Sequence, residues 1–361
     1  MKRNGSNNTM TILILIVIIV IISAVVYYIF KTKSNPDIPQ PYKPQPSYTP
    51  QPSYTPISYT NKKVVYLGYW LDNSNIQKIT TELKNAGITH LLFTFITQPD
   101  KNKPLVSTGS MLDAYKALSN DNQKLFTDNF RVGISLGGEN AMPVPFSDTY
   151  ASGSYYDNNP VKYATDYYNL VKGTGLENYF DLDIEGINDD FVNCSLFLGE
   201  VCKELKNLSP ACEISHAPQT PYFTEKYGNV YNLIYTKYKN YFDWFNIQYY
   251  NNGRSQTFDE IFITAPIFNG TSVLELITSG IDASYMVVGK TVPGQSTGDN
   301  GYVDLSVMSS IICKAYNDIR LLDWKNRGGV MIWYYDTQVI SNNTIQNNNL
   351  LLNYFTSISK C

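Results

Sequence analysis

The chain has 361 residues, with 28 basic and 31 acidic side chains and a formal net charge of −3. A nucleic-acid binder would show a basic patch or stripe, so this balance argues against one. Only two histidines occur, His90 and His216, which leaves little material for a histidine-based metal site or a Ser-His-Asp triad.

Residues 1–9 form a short N-terminal tail. Met10–Phe30 follows as a run without charge, proline or glycine. At helical rise it spans roughly 30 Å, the hydrocarbon thickness of a bilayer. A cleaved signal peptide would have a shorter apolar region, and the small residues Ser23 and Ala24 lie inside this run rather than after it. The expectation is therefore an uncleaved single-pass anchor. Lys2, Arg3 and the terminal amine flank one side, and Lys31 and Lys33 the other. The weak bias suits a type II arrangement, with the bulk of the chain on the extracellular or lumenal side.

Residues 31–60 read as a linker. QPSYTP at Gln45–Pro50 repeats at Gln51–Pro56, and proline at this density favours extended polyproline II and cannot build a core. The globular part is residues 61–361. Strand-like apolar runs recur at Val64–Trp70, His90–Ile96, Val132–Leu136, Tyr179–Glu185, Cys212–Ala217, Trp244–Tyr250, Tyr285–Gly289 and Gly329–Trp333. Helix-like patterns lie between them, at Asn75–Asn85, Tyr163–Lys172, Phe197–Leu208 and Ser306–Trp324. This alternation predicts an α/β chain with a parallel sheet closed as a (β/α)8 TIM barrel. An open doubly wound sheet competes, but no glycine-rich nucleotide turn follows the first strand. The five cysteines are odd in number, so at least one is free or pairs between chains.

The stretch Asn178–Glu185 carries the chemistry. Asp181, Asp183 and Glu185 alternate with Phe180, Leu182 and Ile184, so on a strand three carboxylates share one face and three apolar groups the other. Crowded carboxylates repel, and at least one is pushed to hold a proton at neutral pH. Glu185 is expected at the strand's C-terminal end, where parallel α/β folds carry their sites. The bland alternative is a half-buried strand with its acids in water. Thirty tyrosines suit sugar binding, each with a flat apolar face and a polar tip.

Asp181-x-Asp183-x-Glu185 resembles the D-x-x-D-x-D-x-E signature of family 18 glycoside hydrolases, the chitinase family. Other motifs agree in order: Gly68-Tyr69-Trp70 on strand one, Ser135-Leu136-Gly137-Gly138 ending strand three, and Ala217-Pro218-Gln219 after strand five. Gln248-Tyr249-Tyr250-Asn251-Asn252 is similar to the strand-six run of plant-type members, and Gly328–Trp333 to strand eight. Two positions depart. Asn178 stands where the family usually has its first aspartate, at what is expected to be the buried start of the strand, and Tyr179 stands where it usually has glycine.

The resemblance implies that Glu185 is the general acid and that the substrate's own acetamido oxygen is the nucleophile. Asp183 would orient that group, Asp181 would share a proton with Asp183, and the Tyr250 hydroxyl would bond the acetamido carbonyl. Trp333, Gln248, Asn251, Tyr69, Gly137, Gly138 and Gln219 would line the substrate site. Alternation puts Gln248 and Tyr250 on one face and Tyr249 on the other. Simpler roles exist for some of these: Tyr250 as a packed core aromatic, Trp333 as a barrel plug, Gly137 and Gly138 as turn formers. His216 is expected to be a hydrogen-bonded interior or rim histidine.

The implied function is a membrane-anchored, retaining hydrolase of β-1,4-linked N-acetylglucosamine, monomeric, without metal or cofactor. Its partners would be chitin or chito-oligosaccharides and the bilayer entered by Met10–Phe30. Alternatives are an endo-N-acetylglucosaminidase on N-glycans, a glycosyltransferase built on Asp181-Leu182-Asp183, or a silent glycan-binding protein, which would usually have lost Glu185. The anchor predicts that the full chain needs detergent for extraction, whereas a chain starting at Asn61 is soluble. Release of the full chain by carbonate, or a mature N-terminus after Ala24, would contradict it.

Overall fold

The computed structural model describes residues 61–139, 146–294, 301–338 and 342–361. Eight parallel strands close a barrel in sequence order: β1 (Lys62–Gly68), β2 (His90–Ile96), β3 (Arg131–Gly137), β4 (Tyr179–Asp183), β5 (Glu213–His216), β6 (Trp244–Gln248), β7 (Met286–Thr291) and β8 (Gly329–Asp336). The expected strands are all present, and the order excludes an open doubly wound sheet. Strand ends differ from expectation at the mouth. β4 stops at Asp183 and β6 at Gln248, so Glu185 and Tyr250 sit on the loops just beyond. The helical pattern at Ser306–Trp324 is two helices, Leu305–Tyr316 and Leu322–Arg327, because Asp318 caps a new 3-10 turn at Ile319–Leu321.

Strands covered on both faces read as nearly continuous apolar runs. Phe180, Leu182 and Ile184 of the β4 region enter the large apolar layer between barrel and helices, together with Tyr163 and Tyr167 of helix Pro160–Val171 and Leu198 and Val201 of helix Phe191–Leu208. Burying each side chain of that size contributes about 1.5–3 kcal/mol. The Tyr167 hydroxyl donates toward the backbone carbonyls of Ile134 (2.7 Å) and Asp181 (3.1 Å), tying the outer helix to β3 and β4 at the level of the acids.

The barrel interior is a second, smaller cluster containing Val64, Tyr66, Leu92, Tyr179, Trp244, Val287 and Met331. Its N-terminal end is closed by His90, whose ring centroid lies 5.1 Å from that of Trp244, and by Glu213, which pairs with Arg131 at 3.2 Å. At the mouth, β2 and β8 each gain a residue over a neighbour: Phe93 pairs Ile134 but Ile96 pairs Leu136, and Val65 pairs Ile332 but Leu67 pairs Tyr335. Such bulges re-aim side chains. The β8 bulge lets Trp333 and Tyr334 both join the interior cluster instead of alternating.

Asn178 is not at a buried strand start. It ends the 3-10 turn Leu176–Asn178 and is exposed, its side-chain amide donating to the Gly175 carbonyl at 2.8 Å. Cys313 and Cys361 form a disulfide, while Cys194, Cys202 and Cys212 are free and buried. The Met10–Phe30 run and the linker at residues 31–60 lie outside the described residues. Among the described residues, no helix is long and apolar enough to cross a membrane.

Gly137 tests how tightly β3 must approach β4. Its φ is +117°, and a Cβ there would lie 2.0 Å from the Asp183 carbonyl oxygen. Gly153 also has positive φ but has open space around it. Gly137→Ala is expected to lose about 1–3 kcal/mol more stability than Gly153→Ala, the range for forced overpacking. Equal urea midpoints for the two variants would mean the close approach is not needed.

Candidate active site

Successive inward positions of β4 place Asp181 and Asp183 inside the barrel, and the chain carries Glu185 to the rim. Gly186, at φ +69°, then turns the backbone away. The Tyr222 hydroxyl accepts from the Ile187 N–H at 3.1 Å and fixes that turn. Asp181 and Asp183 are buried, and Glu185 is partly open to the cleft.

Asp181 is held by four donors from four strands. Tyr66 (2.8 Å) and Ser135 (2.7 Å) bond Oδ2, while Ser215 and Asn246 (3.3 Å) bond Oδ1. An ionised carboxylate has about four acceptor sites, so the set suits the charged form. Burial raises the Asp181 carboxyl to about 6, with these hydrogen bonds opposing the rise. Among the described residues, Asp183 has one side-chain donor, Gln248 Nε2 at 2.9 Å. Burial, with Glu185 and Asp181 beside it, pushes its carboxyl well above the usual range. Burial likewise raises Glu185 to about 7, with nearby Glu139 adding to the rise and the amides of Gln248 and Gln219 opposing it. The group with the most donors, Asp181, is thus the one best held as an anion, while Asp183 and Glu185 are pushed toward their protonated forms.

Gln219 Nε2 donates to Glu185 Oε2 at 2.9 Å, and Gln248 Nε2 reaches Glu185 Oε1 at 3.3 Å. Both glutamines thus orient the acids, and a parallel bridge joins Gln219 to Gln248. Tyr250 lies in the interior cluster, its phenol kept neutral by burial and the nearby carboxylates. Tyr249 points the other way, donating to the Thr271 carbonyl at 2.8 Å, so the predicted facing of this pair holds. Asn251 follows in the loop, half-buried at φ 60°.

Trp333 is half-buried at the mouth. Phe95 stacks on it with ring centroids 5.4 Å apart and planes at 24°, and Tyr66 meets it edge-on at 5.5 Å. Tyr69 and Trp70 lie on the rim with 55% and 53% of their surfaces exposed, an aromatic ledge beside Tyr334. Gly137 and Gly138 serve packing: the Gly138 N–H donates to the Asp183 carbonyl at 2.8 Å, and a Cβ on Gly138 would meet the Phe95 ring at 2.8 Å. His216 is an interior residue, with Nε2 3.3 Å from Cys202 Sγ, and burial lowers its imidazole to about 3.

Several residues that shape the site carry no role in the sequence reading: Tyr66, Phe95, Ser215, Asn246 and Lys290, and Asn252, which enters it only as the end of the strand-six run. Asn252 accepts from Thr220 Oγ1 (2.8 Å) and donates to the Gln248 carbonyl (2.9 Å), bracing the loop that carries Tyr250. Buried Lys290 donates to the carbonyls of Tyr249 (2.5 Å), Gly301 (2.8 Å) and Ser255, holding the same loop from outside. Inward alternation could have flagged Ser215 and Asn246. The bulge that aims Phe95 leaves no such signal. Among the described residues, no group of three or more His, Cys, Asp or Glu could hold a metal ion.

The family described as Glycosyl hydrolases family 18 matches residues 62–348. Endochitinase 3 of Metarhizium robertsii is 28% identical over 175 residues, 46% of this chain and 48% of that protein, so the match spans about half the relative's length. Two solved structures share the fold at low identity. The Legionella pneumophila ChiA C-terminal domain has TM-score 0.58 and 18% identity, covering 83% of this chain and 98% of that one. A GH18 chitinase from Cycas revoluta in complex with (GlcNAc)4 has TM-score 0.56 and 12% identity, covering 82% of this chain and all of that one (100%).

The raised carboxyls make a stability prediction. Glu185 binds its proton at about 7 when folded and near its ordinary 4.5 when unfolded. The folded state therefore holds the extra proton between those values. Its stabilising contribution is full below about pH 4.5 and is lost as pH rises through 7. Glu185→Gln should be more stable than the wild type at pH 8, by about 1–3 kcal/mol, with the advantage gone below pH 4.5. Urea unfolding at both pH values reads this. A variant no more stable at pH 8 would mean the acid is not held at a cost.

Proposed function

The chain belongs to glycosyl hydrolases family 18, and from that membership and the geometry we propose that it hydrolyses β-1,4-linked N-acetylglucosamine by substrate-assisted catalysis. The observation that carries this is the trio of Asp181 and Asp183 on β4 and Glu185 just beyond its end, with raised proton affinities and neutral donors around them. In hydrolysis, protonated Glu185 donates to the glycosidic oxygen as the C1–O bond breaks. The substrate's acetamido oxygen closes on C1 and forms an oxazolinium ion, so no enzyme nucleophile is needed. Asp183 faces the acetamido N–H. As positive charge develops there, the Asp183 carboxyl oxygen accepts from that N–H and stabilises it, with the charged Asp181 behind it. The neutral Tyr250 phenol donates to the acetamido carbonyl, and Trp333 offers its face to the pyranose ring. Glu185, now ionised, takes a proton from the water that opens the ring.

Chitin or its oligomers is the substrate class favoured over an N-glycan core. The aromatic ledge of Tyr69 and Trp70 extends beyond the trio and suits further sugar rings. Endochitinase 3 and the (GlcNAc)4 complex are relatives whose names point the same way. We read the domain as standing outside the membrane crossed by Met10–Phe30. The Cys313–Cys361 disulfide supports an oxidising compartment.

Assay of the full chain on chito-oligosaccharides and on a high-mannose glycopeptide tests the reading. Turnover is expected on the former. Glu185→Gln should lower it by at least ~10²-fold, the scale of a lost general acid, with oligosaccharide binding little changed. Tyr250→Phe should slow turnover more than Tyr249→Phe. Near-wild-type turnover in Glu185→Gln would remove Glu185 from the mechanism.

A further inference from the structure

Tyr179 occupies a position where the resemblance leads one to expect glycine. The ring is fully buried inside the barrel, with centroids 5.2 Å from Trp244 and 5.7 Å from His90. Residue 133, its neighbour on β3, is glycine. A Cβ there would lie 1.9 Å from the Tyr179 carbonyl oxygen and 2.7 Å from the Tyr179 Cβ. A phenylalanine would fill the same volume without burying a hydroxyl, so the phenol needs its own account.

The hydroxyl lies 2.9 Å from Ser215 Oγ, and Ser215 bonds Asp181 Oδ1. Proton counting fixes the direction. The Asp181 carboxylate only accepts, so the single Ser215 hydrogen points at it. The Tyr179 hydrogen then points at Ser215. The chain Tyr179 to Ser215 to Asp181 therefore directs every dipole at the carboxylate, and each bond polarises the next. We propose that Tyr179 is a positioning residue that acts through Ser215 to keep Asp181 ionised, and so keeps the shared proton on Asp183 and Glu185.

The inference rests on the reading of the trio given above. The other groups facing this cluster are Tyr66 from β1, His90 from β2, Ser135 from β3, Asp183 from β4, Glu213 from β5, Asn246 from β6 and Tyr250 from the loop after β6. His90 is held neutral by burial, and Glu213 is already paired with Arg131. β7 and β8 contribute apolar Val287 and Met331 to the interior. No cation among these groups bonds Asp181, so its charge depends on the hydroxyls and the amide.

The test is the titration of Asp181 in the full chain, followed by carboxyl-carbon NMR and assigned with Asp181→Asn, alongside the pH profile of kcat/KM. Tyr179→Phe keeps the ring and removes the hydroxyl. Asp181 should then protonate at higher pH, by up to about one unit, the scale of one lost hydrogen bond. The acidic limb of kcat/KM should rise with it. Ser215→Ala should move both in the same direction, and adding Tyr179→Phe to Ser215→Ala should move them no further. An unmoved Asp181 in Tyr179→Phe would overturn the proposal, as would a further shift in the double variant. The NMR arm needs no turnover, so failure of the hydrolase reading and failure of this inference are separately visible.

Discussion

Three carboxylates share the mouth of one barrel strand, and none of the ion pairs among the described residues includes them. Buried lysines lie elsewhere: Lys62 donates to the Ser284 and Arg327 carbonyls at one end, and Lys290 holds loop carbonyls outside the interior. Anionic repulsion in a buried space is therefore relieved by protons and by neutral donors. Asp181, with four donors, is the group best able to stay charged. Asp183, with one, is the group most forced to hold a proton. The rest of the site follows from that inequality.

The surrounding structure serves to keep the inequality fixed. Donors to Asp181 come from β1, β3, β5 and β6, so a closed barrel is what makes four of them converge. Gly133 and Gly137 on β3 allow β4 to approach without a Cβ between them. Tyr167 pins the β3 and β4 carbonyls from the helical layer, and Lys290 pins the loop that presents Tyr250. These devices bury polar atoms, and that burial weakens the fold at the pH where the acids work. Function and stability pull apart at the same residues.

Much of this was legible in the chain because strand alternation has a strict period of two. Asp181 and Asp183 inward, Phe180 and Leu182 outward, and Tyr250 inward with Tyr249 outward all follow from counting. Counting fails where the period breaks. Phe95 and Trp333 owe their stacking to bulges in β2 and β8, and a bulge is a relation between strands that no single strand encodes. Asn178 departs from the expected buried position for a related reason. The strand begins only at Tyr179, and the preceding residue belongs to a 3-10 turn whose own acids and amides satisfy it locally. Asn246 and Ser215 obey alternation, but nothing local marks a polar inward residue as a partner of a carboxylate on another strand.

In the proposed reaction no carboxylate nucleophile is needed, because Asp181, Asp183 and Glu185 stand together at one strand end and the substrate would bring its own nucleophile. On that proposal, attack by the acetamido group would invert C1 once and water would invert it again. Proton NMR of the first product formed from a chito-oligosaccharide tests this most directly. The β-anomer should appear first and then mutarotate. Initial α-anomer, or cleavage of a plain β-1,4-glucan lacking the acetamido group, would contradict the account even with Glu185 essential.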